Sequence, residues 1–121
     1  MTDAGFPVGT RDVPVVAAPE EIDITNAAGL RAALLEAAAR GHETFVVDMS
    51  STRFCDSAGL NVLVGAHRRA QAEGGEVLLV IASTAVLRSF AITGLDQVIP
   101  NFTSLDEALE ALARAPRTAG S

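Results

Sequence analysis

The stretch Phe45–Ala70, FVVDMSSTRFCDSAGLNVLVGAHRRA, decides how this 121-residue chain is read. The apolar run Phe45–Val47 leads into a polar Ser/Thr/Arg loop, and at Ser57 the pattern turns helical. On an ideal helix Leu60, Leu63, Val64, His67 and Ala70 then share one face, which is expected to meet a sheet. The pivot, Asp56-Ser57-Ala58-Gly59-Leu60, is thus a strand-to-helix junction, and function is expected there.

Downstream, Val77–Ile81 is a second nearly continuous apolar run, reached after Gly74-Gly75 ends the intervening helix. Strands covered on both faces look like this, and a helix between two of them implies a right-handed crossover joining parallel neighbours. Upstream, Pro14 within Val13–Ala17 argues for an edge strand or a strand start. Glu21-Ile22-Asp23-Ile24 alternates polar and apolar and is expected to pair with it. Thr25 or Asn26 then caps a helix with Leu30, Ala33, Leu34 and Ala37 at i, i+3, i+4, i+7 spacing, stopped by Gly41. Ser83 or Thr84 caps another helix, carrying Leu87, Phe90 and Ala91 and stopped by Gly94. A short Val98–Ile99 strand stopped by Pro100 follows. The last helix has a Ser104/Glu107 capping box and a stripe of Leu105, Ala108, Leu109 and Leu112. This order predicts a single α/β domain over residues 12–114, a mixed β-sheet with about four helices packed on it. Residues 1–11 read as a flexible leader and 115–121 as a flexible tail.

Composition narrows the chemistry. A net charge of −6 disfavours nucleic acid and anionic lipid as partners. All nine basic side chains are arginine, so P-loop and Schiff-base chemistry is excluded from this chain. The single cysteine, Cys55, allows no internal disulfide and has no metal-ligand neighbours, so a buried or inert thiol is expected. No signal peptide or membrane span is visible, which implies a cytoplasmic protein. No cofactor is implied.

Two readings fit the pivot. Asp56 or Ser57 is a good N-cap, and a cap is the plainer one. Alternatively, Ser57 carries a phosphoryl group of roughly −1.5 to −2 charges beside the helix N-terminus, which a docking partner would have to desolvate. The outer helix face, Ala58, Val62 and Gly65 with Asn61 and Arg69 at its margins, is smooth and almost uncharged. It is either a docking surface or a strip covered by another segment of the domain.

The segment FVVDMSSTRFCDSAGLNVLVGAHRRAQAEGGEVLLV, with the earlier EEID and the later AVLRSFAITGLDQVI, resembles the STAS domain of bacterial anti-sigma factor antagonists. The likeness runs from about Val13 to about Leu112. It implies a small mixed sheet with helices and a serine phosphorylated by the anti-sigma factor, itself a serine kinase, and restored by a serine phosphatase. The unphosphorylated antagonist binds the anti-sigma factor and frees the sigma factor. Carried over by position, Ser57 is the acceptor, Asp56 its acidic neighbour, and Glu21 and Asp23 a second acidic element in partner contact. Ala58, Gly59, Asn61, Val62 and Gly65 complete the implied partner-binding set. Glu20 stands where the family usually has glycine, and Ala58 where many members have a second serine.

The rival reading is a small serine hydrolase or acyltransferase with Ser57 as nucleophile, because Ser57-Ala58-Gly59 ends as a nucleophile elbow does. The elbow's first glycine is absent and neither His42 nor His67 is evidently placed as a base. A phospho-aspartate receiver using Asp48 would need a late lysine, and the chain has none. His67 is expected to be a hydrogen-bonded interior histidine and His42 to be solvated. Arg53 is expected to be solvated, or paired with Asp56 or a phosphate.

Overall fold

The computed structural model describes residues 13–40 and 43–114. The predicted leader and tail, the Gly41 stop and His42 lie outside these residues. In chain order the elements are β1 (Val15–Ala17), β2 (Glu21–Ile22), α1 (Ala27–Ala39), β3 (Phe45–Met49), β4 (Phe54–Cys55), α2 (Ser57–Ala72), β5 (Val77–Ile81), α3 (Thr84–Thr93), a 3₁₀ turn (Leu95–Gln97), β6 (Asn101–Phe102) and α4 (Leu105–Arg114). The α/β class and the four helices are those the sequence predicts.

β1, β3, β5 and β6 form one four-stranded sheet in that order, and β2 and β4 form a separate two-stranded ladder. Every described pairing is parallel, so the mixed sheet expected from the sequence is a parallel one here. The chain leaves β1 through Ala18 and Pro19, and the alternating segment after them pairs with Phe54–Cys55 instead of with β1. The Ser/Thr/Arg loop hides that partner strand. Two backbone hydrogen bonds hold the ladder's ends, Arg53 N–H to Glu20 O at 2.7 Å and Asp56 N–H to Ile22 O at 3.0 Å. Thr52 is fully buried beneath it and donates its hydroxyl to Pro19 O at 2.7 Å.

The last strand also differs from expectation. Val98–Ile99 completes the turn after α3, with Ile99 buried as a core residue, and the strand begins beyond Pro100. Pro100 has no N–H to offer a ladder, but its carbonyl accepts from Leu79 N–H at 2.9 Å, so the ring marks the strand's start.

Alternate side chains of the strands feed two cores. Phe45, Val47, Met49, Val77, Leu79 and Ile81 face α1, α2 and α3, while Val46, Leu78 and Val80 face α4 alone. The buried stripe of α2 is Gly59, Leu60, Leu63, Ala66, His67 and Ala70. It is wider than the sheet-facing positions alone because α1 packs along its flank. His67 is 2% exposed, and neither ring nitrogen has a hydrogen-bond partner among the described residues. The interior position is as expected; the hydrogen bonding is not.

Two outcomes follow for stability. A Cβ on Gly59 would lie 2.6 Å from both Cys55 Sγ and Ile22 Cγ2, whereas one on Gly65 would meet nothing within 4 Å. Both changes to alanine gain about 1 kcal/mol of helix propensity. Gly65→Ala is therefore expected to stabilise the protein in urea unfolding, and Gly59→Ala to lose roughly 1–2 kcal/mol through overpacking; equal shifts would refute the close contact. An unsatisfied buried polar group costs roughly 1–3 kcal/mol, so His67→Leu should be neutral or stabilising by about 1 kcal/mol. A loss above about 2 kcal/mol would show that the ring makes hydrogen bonds absent here.

Candidate functional site

The site is built at the end of the β2–β4 ladder. Glu21 is in register with Phe54 and Ile22 with Cys55, so the residues that follow each strand, Asp23 and Asp56, leave the ladder side by side. Ile22 and Cys55 point inward and close on Gly59, which fixes the first turn of α2 directly beneath the ladder. The glycine of the Asp-Ser-x-Gly element is thus a packing requirement: no side chain fits there.

Asp56 is the N-cap. Its backbone is extended and its Oδ1 accepts from Ala58 N–H at 2.9 Å and Gly59 N–H at 3.3 Å. Ser57 is consequently the first helical residue, and its side chain is exposed with the capping role already taken. Of the two cap candidates read from sequence, the structure selects Asp56. That choice leaves the serine hydroxyl available to solvent.

The acidic loop is ordered by its own hydrogen bonds. Asp23 Oδ1 accepts from Thr25 N–H at 2.9 Å and from Thr25 Oγ1 at 2.5 Å, and the Thr25 hydroxyl is the main cause holding the Asp23 carboxyl below its ordinary range. Asn26 precedes α1, yet its side chain does not cap the helix. Instead Asn26 Oδ1 accepts from Asp23 N–H at 2.9 Å, and Asn26 Nδ2 donates to Glu21 O at 2.7 Å. Of the two candidates for the α1 cap read from sequence, Asn26 braces the Glu21–Asp23 segment and Thr25 holds the Asp23 carboxylate.

Other candidates fall into place around this. Cys55 is buried, and desolvation, aided by the Asp56 charge, pushes its thiol up to about 11, which makes it inert as a nucleophile at neutral pH. Arg53 pairs with Glu20 at 3.5 Å, both side chains exposed, instead of with Asp56. Glu20, the residue at the family's usual glycine, therefore takes part in closing the ladder. Asp48 accepts from Ser50 N–H at 3.0 Å and holds the turn after β3. On the outer strip of α2, Asn61 is exposed and Ala58 and Gly65 are half-exposed, while Val62 packs partly against the core. The strip is open near Ser57 and only in part covered by the domain itself. Sequence reasoning missed Phe54, which is 51% exposed on the ladder's outer face.

Among the described residues the geometry does not supply an acyl-transfer site. His67 lies ten residues beyond Ser57 on the same helix, about 15 Å along its axis, and is sealed in the core. No group of three or more His, Cys, Asp or Glu residues able to hold a metal ion occurs among the described residues. No helix among them is long and apolar enough to cross a membrane.

Comparison with known proteins places the chain among relatives of one family. The family model for the STAS domain matches residues 8–108. The anti-sigma-B factor antagonist of Bacillus subtilis is 34% identical over 79 residues, 65% of this chain and 72% of that one. An anti-sigma-F factor antagonist of Mycobacterium tuberculosis is 29% identical over 97 residues, 80% of this chain and 79% of that one. The crystal structure of an anti-sigma factor antagonist from Mycobacterium paratuberculosis superposes with a TM-score of 0.76 at 33% identity, covering 83% of this chain and 85% of that one. The chain belongs to the STAS domain family.

Proposed function

We propose that this protein is an anti-sigma factor antagonist that acts in the cytoplasm by binding and has no catalysis of its own. Unmodified, it binds an anti-sigma factor with serine kinase activity and so releases a sigma factor. Phosphorylated on Ser57 it lets go, and a serine phosphatase restores it. The observation that carries this reading is the division of labour at the start of α2, where Asp56 caps the helix and Ser57 stands exposed beside two acidic segments. The relatives described as anti-sigma factor antagonists support the partner class.

The same geometry gives the switch its sign. A phosphate on Ser57 would find the Ala58 and Gly59 N–H groups already engaged by the Asp56 carboxylate. It gains little from the helix N-terminus and adds roughly −1.5 to −2 charges close to Asp56 and Asp23. A partner docked there must strip water from that charge, which costs several kcal/mol, and each 1.4 kcal/mol is tenfold in affinity.

The test uses each purified anti-sigma factor of the source organism. Incubation with ATP and the cognate one should place phosphate on Ser57, as read by peptide mass spectrometry. Phosphate elsewhere with Ser57 bare would reject the acceptor. Ser57→Ala should bind like the unmodified chain, and Ser57→Asp about a hundredfold or more weaker. Equal affinities would reject the charge switch, and hydrolysis of an activated ester lost in Ser57→Ala would point to an enzyme instead.

A further inference from the structure

Parallel strands are normally covered on both faces, and the β2–β4 ladder is not. Its inner face, Ile22 and Cys55, is sealed on Gly59, whereas its outer face presents Phe54 at 51% exposure in register with the exposed Glu21. Ile24, 78% exposed, sits one residue beyond Asp23 in the turn that enters α1. Single exposed apolar side chains are common on protein surfaces; Phe54 and Ile24 are set apart because both flank the same acidic segment, Glu21–Asp23. Acidic residues flank the ladder: Glu20 at its start, Glu21 opposite Phe54, and Asp23 and Asp56 where the two strands end; of these only Glu20 is in an ion pair, to Arg53, among the described residues.

We propose that Phe54, with Ile24 beside the acidic loop, is the apolar anchor by which this chain docks its anti-sigma factor, and that the partner presents an apolar socket rimmed by arginine or lysine. The inference rests on the anti-sigma reading above and assigns the source of its affinity. An aromatic side chain ringed by charge has the make-up of an interface hot spot, its desolvated centre supplying affinity and its rim charges steering approach. The anchor lies at the base of the ladder and Ser57 beyond its end, so a phosphate acts on the same docked surface without touching the anchor itself.

Calorimetric titration of the full chain against the anti-sigma factor that phosphorylates it tests the assignment. Phe54→Ala is expected to bind at least tenfold weaker and Ile24→Ala at least threefold weaker, both with unchanged thermal midpoints. Val15→Ala, an exposed apolar change on the sheet face that α4 covers, should bind like the parent. The pair Glu21→Gln and Asp23→Asn should slow association and flatten its salt dependence. If Phe54→Ala binds like the parent while Ser57→Asp is weak, the anchor is wrong and the switch stands. If neither change weakens binding, the anchor and the charge switch both fail; if no anti-sigma factor binds the parent chain at all, the anti-sigma reading itself fails. Conversion of a dimer to a monomer by Phe54→Ala in sedimentation, with partner affinity unchanged, would assign the patch to self-association and overturn the proposal.

Discussion

The contact on which the site depends is the closure of Ile22 and Cys55 over Gly59. It joins three segments far apart in the sequence: the strand before α1, the strand after the β3 turn, and the first turn of α2. Because no Cβ can be accommodated at Gly59, the helix start cannot slide away from the ladder without opening a gap in the core, and interiors tolerate such gaps poorly. Asp56 is then held by its N–H to Ile22 O and by its carboxylate to the first free amides of α2. Ser57 is placed by these constraints and takes no part in them.

That separation of roles is what the proposed phosphorylation of Ser57 requires. Had Ser57 been the cap, modifying its hydroxyl would have removed a cap hydrogen bond and disturbed the helix start. With Asp56 as cap, the charge on Ser57 can change while the fold beneath it keeps its hydrogen bonds. The acidic loop is braced in the same manner by Thr25 and Asn26, so both halves of the proposed docking surface are preorganised and little ordering entropy is lost on binding.

The sequence made α1, α2, α3 and α4 legible through their 3.6-residue spacing, and β3 and β5 through continuous apolar runs. The two-residue strands were not. Glu21–Ile22 shows alternation but its expected partner is the wrong one, and Phe54–Cys55 is too short to show any; their pairing is specified by Gly59, Thr52 and the backbone bonds of Glu20 and Ile22, which are tertiary facts. Val98–Ile99 has strand composition but is used as a turn and a core plug, with the ladder resuming after Pro100. At the site, Asp56, Ser57 and Gly59 stood out as a junction, yet spacing could not choose between Asp56 and Ser57 as cap. Phe54 read as part of a polar loop, because its exposure appears only once Cys55 is seen to take the inward position. His67 announced its burial by periodicity, while the lack of partners for its nitrogens depends on apolar neighbours from other elements.

In the proposed switch, charge on Ser57, and not a change of fold, decides whether the surface can be docked. The most direct measurement is the dissociation constant of the anti-sigma factor for the same chain with serine or with phosphoserine installed at position 57, alongside the amide spectrum of each free form. Binding at least a hundredfold weaker is expected for the phosphoserine form, with spectral shifts confined to the start of α2 and the Asp23 loop. Equal or tighter binding, or shifts spread through the sheet, would contradict the proposed switch.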